Sequence, residues 1–205
     1  MTIAKGYTGL DDDPLFDALR DAVRECFVDD DSHGMKHALN TLSYAMAIAD
    51  RLKENRGVDI DRHALAAAAL MHDIGRENIF FDPGHGERGA ERAGDILAEL
   101  DAPWDREKIM RLITLHDEEE VDESSESVEL IILRDADKLE LLRIGPGYLD
   151  LGRLATGEAV SLVEEVLARY DTGTDEYRKK AQETAGWARK LLSEWEDGGG
   201  NNRAG

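Results

Sequence analysis

Apolar residues return at spacings of three and four along nearly all of this 205-residue chain, and no stretch alternates for more than a few residues. That period is the signature of helices with one buried face and leaves no material for a reliable sheet. The expected fold is therefore all-α, a single-domain helical bundle over residues 1–197. A first helix should begin near Pro14, where the preceding acids suit a helix amino terminus, and carry Leu15, Leu19, Val23 and Cys26 or Phe27 inward. Further helices are expected over 35–55, stopped by Gly57, and over 61–74, closed by Gly75.

A loop containing Phe80, Phe81, Pro83, Gly84 and Gly86 follows, and then a helix over 87–100. The small residues Gly86, Gly89, Ala90, Ala93 and Gly94 would let another backbone come close. Helices over 104–116 and 127–142 precede a break at Gly145-Pro146-Gly147. Two more are expected over 158–170 and 175–196, followed by a glycine-rich polar tail, 198–205, read as disordered. The three tryptophans read as core or interhelix contacts.

Net charge is −20, from 45 acidic and 25 basic residues. Long nucleic acid and anionic membrane surfaces would be repelled, so a polyanion could enter only at a local cationic site. Such self-repulsion suits a protein adapted to concentrated salt, although an ordinary acidic cytosolic protein has a similar composition. One cysteine excludes an intramolecular disulfide framework, and no charged segment followed by an apolar one opens the chain. A cytoplasmic location is expected. The longest apolar run, 64–71, is far shorter than the roughly 20 residues of a membrane span. Oligomeric state is not legible.

Against this background His37, His72, Asp73, His116 and Asp137 stand out, each at the end or on the apolar side of an expected helix. His72 follows Leu65, Ala68 and Ala69 at helical spacing, and His116 follows Ile109, Leu112 and Ile113. Asp137 shares a stripe with Leu130, Leu133 and Leu141. An ionised carboxylate without a partner in such surroundings costs several kcal/mol or takes up a proton, so a cation should lie beside it. Any one of these histidines alone is more often a hydrogen-bonded core residue, and Asp73 alone could be a solvated acid at a turn. Together they ask for a metal. His85, in a glycine-flanked loop, could complete the shell of a second ion or stand exposed.

Three segments carry a resemblance. Ser32-His33-Gly34-Met35-Lys36-His37, Met71-His72-Asp73-Ile74-Gly75-Arg76 and Arg134-Asp135-Ala136-Asp137-Lys138-Leu139 resemble, in this order, the HD-domain superfamily of metal-dependent phosphohydrolases. The likeness spans about residues 31–142 and implies an all-helical fold of the HD-domain type, with the helices over 158–196 as additions. It implies that His37, His72, Asp73 and Asp137 hold the principal metal, with Asp73 bridging to a second. His85 and His116 match the family's additional histidine ligands. Arg76 stands where many members carry lysine, so a phosphate contact there would be forked rather than a point charge. His33 is no metal position by this match; it would touch substrate or sit exposed at a helix start.

Imidazole and carboxylate donors without thiolate suit one or two divalent ions, Mn, Fe, Co, Ni, Zn or Mg. A bound ion lowers the pKa of a water from ~15.7 towards ~7 and binds a phosphoryl oxygen as a Lewis acid, so attack by the resulting hydroxide hydrolyses a phosphate ester. Asp73 or Asp137 would orient the water; Arg76 and Lys138 would neutralise charge on the phosphoryl oxygens, although Lys138 could equally pair with Asp135 or Glu140. The expected substrate is a small phosphate ester, such as a nucleotide or phosphomonoester. Two alternatives remain open: a di-iron oxygenase on the same fold, and a non-catalytic, metal-stabilised module that binds a nucleotide or protein. Cys26 reads as packing, and the glycines at 84, 86 and 89 follow no strand, so they make no dinucleotide-binding loop.

Overall fold

The computed structural model describes residues 10, 12–27, 33–78, 81–118 and 126–197. Among them are eight α-helices and no strand: α1 Pro14–Val23, α2 Met35–Arg56, α3 Arg62–Met71, α4 His85–Glu99, α5 Arg106–Leu115, α6 Val128–Glu140, α7 Gly157–Arg169 and α8 Asp175–Glu196. The expected tail at 198–205 lies outside the described residues, as does Phe80. No helix among the described residues is long and apolar enough to cross a membrane.

Side-chain caps fix most of the starts. Asp13 accepts from the Leu15 amide at 2.9 Å, Asp61 from Ala64 at 3.0 Å and Asp105 from Lys108 at 3.0 Å. Ser127, Thr156 and Thr174 open α6, α7 and α8 in the same way. Each satisfies an amide that the helix itself leaves unpaired. Gly57 ends α2 in the left-handed region at φ 68°, with its amide donating to the Lys53 carbonyl.

The central strut is α3, in which every residue of the Ala64–Met71 run is buried. Four consecutive alanines present little bulk on any side, so α2, α5, α6 and α1 all pack around it. Burial on all faces is why its sequence shows almost no polar stripe. Because α3 lies at the centre, whatever stands at its carboxyl end is delivered to the middle of the bundle. That end is His72-Asp73.

Two expectations about faces are corrected. In α1 Leu19 and Val23 are buried as expected, but in the first turn it is Phe16 that is buried, while Leu15 is only half-buried. Trp187 is 65 % exposed, because α8 packs on α7 and buries only Ala185 and Ala188. The close approach expected of the small residues in α4 is observed, and it is tightest at the site. A Cβ on Gly75 would lie 2.1 Å from the His85 carbonyl oxygen, and one on Gly86 would lie 2.7 Å from the Thr114 carbonyl oxygen. The first turn of α4 is thereby wedged between the ends of α3 and α5.

Candidate metal centre

His37 comes from the first turn of α2, His72 and Asp73 from the turn that closes α3, His85 from the first residue of α4, and His116 from the end of α5. Asp137 comes from α6. All but Asp137 are buried. Five helix ends or faces thus converge, and their ligand atoms form two groups joined by one carboxylate.

In the first group, His37 Nε2 lies 3.0 Å from His72 Nε2, 3.2 Å from Asp137 Oδ1 and 3.5 Å from Asp73 Oδ2. His72 Nε2 is 3.6 Å from each of the same two oxygens. In the second group, His85 Nε2 is 3.1 Å from His116 Nε2 and 3.3 Å from Asp73 Oδ1, which is 3.8 Å from His116 Nε2. Asp73 therefore offers one oxygen to each group. Donors ~2.0–2.2 Å from a common ion in tetrahedral or octahedral geometry stand ~2.8–3.6 Å apart, which fits every histidine–histidine and histidine–carboxylate spacing of the first group and nearly all of the second.

The tautomers sharpen this fit. Nδ1 of His72 donates to the Ala69 carbonyl at 2.9 Å, Nδ1 of His85 to the Asp82 carbonyl at 2.9 Å, and Nδ1 of His116 to the Ile113 carbonyl at 2.6 Å. With the proton on Nδ1, a neutral ring presents a bare lone pair at Nε2. In the His85–His116 pair the two Nε2 atoms face each other at 3.1 Å, a separation bridged by either a proton or a metal ion. That arrangement holds only if a positive charge lies between the rings. His37 differs, since its Nδ1 is buried without a hydrogen-bond partner among the described residues.

The carboxylates favour positive charge here. Burial opposes ionisation of Asp73, but His72, and then hydrogen bonds from His116, His33 and His85, hold it well below the usual carboxylate range. Burial opposes ionisation of Asp137 too, and His37 and His72 overcome it. For His85, burial depresses the imidazole, while Asp117 and Asp73 more than reverse this and raise it to about 9; Arg76 works against them. His72 is likewise raised by Asp73 and Asp137 against the effect of burial.

The expected site residues do not all meet. Asp137 is not enclosed by leucines: 38 % of its side chain is exposed, with Oδ1 turned to the histidines, and Leu141 is 37 % exposed. It forms the rim of the site. The buried acids of α6 are Glu129, Asp135 and Glu140; Asp135 accepts from the Ala155 and Thr156 amides and the Thr156 hydroxyl and so ties α7 to α6. Arg76 is at the centre, its Nε donating to Asp73 Oδ1 at 2.8 Å. Lys138 is not: its ammonium donates to the Arg153 carbonyl at 2.9 Å and lies 3.9 Å from Asp135. An α-helix turns about 100° per residue, and the position after Asp137 is carried away from the ligands. His85 is not exposed in a loop, because α4 begins at that residue.

Sequence reasoning left His33 between two readings and did not place Asp117 or Asn40. His33 Nδ1 lies 2.9 Å from Asp73 Oδ2, and its ring is partly exposed at the mouth. Asp117 Oδ2 stands 3.0 Å from His85 Nδ1 and backs that ring from outside the ligand group. One turn beyond His37 and Asp137, Asn40 donates to Glu140 at 2.8 Å, and the Tyr170 hydroxyl donates to the same carboxylate at 2.9 Å. This buried network fastens α2, α6 and α7 just below the site. Its only sequence signal was a polar residue three positions after each ligand, on a face that is otherwise apolar.

Compared with known families, residues 34–142 match the family model described as HD domain. The match covers just over half of the chain, runs from the start of α2 to the end of α6, and contains all six convergent residues. No curated protein and no solved structure matches.

Proposed function

Because the chain belongs to the HD-domain family of metal-dependent phosphohydrolases, we propose that it hydrolyses a small phosphate ester, a nucleotide or phosphomonoester, at a divalent-metal centre. His37, His72, Asp73 and Asp137 would hold the principal ion, with His85, His116 and the second oxygen of Asp73 beside it. The observation that supports the reading is the His85–His116 pair, two Nε2 atoms aimed at one point with both opposite nitrogens already donating to carbonyls. A divalent ion bound there supplies a water of lowered pKa and a Lewis acid for a phosphoryl oxygen.

The chain's own residues do the rest. The carbonyls of Ala69, Asp82 and Ile113 hold the Nδ1 protons of three imidazoles, so that Nε2 is the atom each ring would offer to an ion. Asp137, at the rim, is reachable from solvent and can orient an attacking water, while Asp73 stays fixed between the two groups. Arg76 and the histidines concentrate positive charge in a molecule of net charge −20, which draws a small anion to this one place. His33, partly exposed and 2.9 Å from Asp73, would meet the substrate there.

The test is elemental analysis of protein purified without chelator, together with a hydrolysis screen of nucleotides and generic phosphomonoesters. Both are repeated for His72→Ala and Asp73→Ala. Retained divalent metal and turnover that falls at least ~100-fold in both variants are expected, in line with the cost of losing metal ligands and their supports. Turnover surviving both substitutions would place the chemistry elsewhere, and metal without turnover would make this a binding module.

A further inference from the structure

The two ligand groups differ in charge and in closeness. The first combines two imidazoles with oxygens from two carboxylates, Asp73 Oδ2 and Asp137 Oδ1, all within 3.0–3.6 Å of His37 or His72. The second has two imidazoles and only Asp73 Oδ1, with its widest spacing 3.8 Å. Asp117 approaches from the other side of the rings, 3.0 Å from His85 Nδ1 and 4.0 Å from His116 Nδ1. The one oxygen of the second group is also the acceptor for Arg76 Nε at 2.8 Å. Any cation held by that oxygen shares it with a guanidinium that cannot lose its charge.

We propose that Arg76 sets the order of metal loading, leaving the His37–His72–Asp73–Asp137 group to fill first and making the Asp73–His85–His116 group a weak second site. The inference rests on the metal centre proposed above and adds to it a role for this residue. Arg76 acts in two ways through one bond. It fixes the rotation of the Asp73 carboxylate, which turns Oδ2 to the first group, and it places a positive charge beside the donor of the second. Arg76 is thus a positioning residue for the first site and an electrostatic brake on the second. With lysine, the charge would sit on a flexible stem able to swing clear of Oδ1, and the brake would be weaker.

The experiment is a titration of metal-stripped full-length protein with Mn²⁺, followed by calorimetry and by the loss of the free-ion electron spin resonance signal. Metal content after dialysis against buffered Mn²⁺ provides the stoichiometry. The wild type should bind in two steps ~10–100-fold apart, the usual scale for a change in the surroundings of a metal site. In Arg76→Gln the second step should tighten at least ~10-fold while the first weakens or stays unchanged; Arg76→Lys should fall between. His116→Ala should remove the second step only. Two indistinguishable steps in the wild type, or both steps weakened equally by Arg76→Gln, would overturn the ordering while leaving the metal centre standing. A wild type that binds no Mn²⁺ would overturn the metal centre itself.

Discussion

Gly75 to alanine tests whether the wedge of α4 is what builds the second ligand group. The added Cβ would meet the His85 carbonyl oxygen at 2.1 Å, the Gly89 amide nitrogen at 2.2 Å and the Gly89 Cα at 2.7 Å. All three are backbone atoms, so no side chain can rotate away. Ordinary contact begins at 3.4 Å, so the start of α4 must retreat by about 1.3 Å. Gly75 has no positive φ, so alanine is admissible there in backbone terms and even restricts the unfolded chain, a gain of ~0.4–1 kcal/mol. Overpacking of a tight core costs ~1–3 kcal/mol and more where backbone has to move, so a net loss of ~1–3 kcal/mol is expected. The functional loss should be larger. His85 Nε2 now stands 3.1 Å from His116 and 3.3 Å from Asp73, and metal sites tolerate only about ±0.2 Å. Urea unfolding of the metal-free protein reads the first quantity from the shift in midpoint, and Mn²⁺ titration reads the second from the loss of the weaker binding step. A variant with an unchanged midpoint and both binding steps would show that the close approach of α4 to Gly75 does not position His85.

Chelation should destabilise the protein: an ion at 100 times its Kd adds ~2.7 kcal/mol, equivalent to roughly 5–11 °C in Tm for a chain of this size. Equal melting with and without chelator would count against a bound metal. At pH 7.5, loading of the second group should release a proton, because His85, raised to about 9, must surrender one. Calorimetry in buffers of different ionisation enthalpy would reveal it, and the apparent affinity of that step should climb with pH up to about 9. The stability of the metal-free protein runs the other way. The folded pKa of His85 exceeds its unfolded value of ~6.5, so its contribution is complete below ~6.5 and is lost as pH rises through about 9. The two depressed carboxylates, Asp73 and Asp137, contribute above their ordinary range and lose that contribution as pH falls below it. With a net charge of −20, the unfolding midpoint should rise from dilute buffer to multimolar KCl. A midpoint indifferent to salt would remove the case for salt adaptation.

Much of this molecule is decided locally. The three-and-four spacing, the capping acids and hydroxyls, and stop signals such as Gly57 prescribe eight helices close to where they are found, because capping and helix termination act within a turn of the residues that cause them. The alanine run of α3 likewise announces a helix buried on all sides, and with it the delivery of His72-Asp73 to the interior. What a linear pattern cannot carry is which side of a residue meets a distant one. The swing of Lys138 towards Arg153, the exposure of Asp137 at the rim and the start of α4 at His85 all depend on how separate helices are juxtaposed. The division of Asp73 between two ligand groups, one oxygen to each, depends on chain segments tens of residues apart meeting within hydrogen-bond distance, although the Arg76–Asp73 bond itself spans only three residues. Residue types and their order selected the chemistry, since donor atoms are a property of side chains. The arrangement into two unequal groups came from tertiary packing, because ångström separations are set by whichever backbones are allowed to touch.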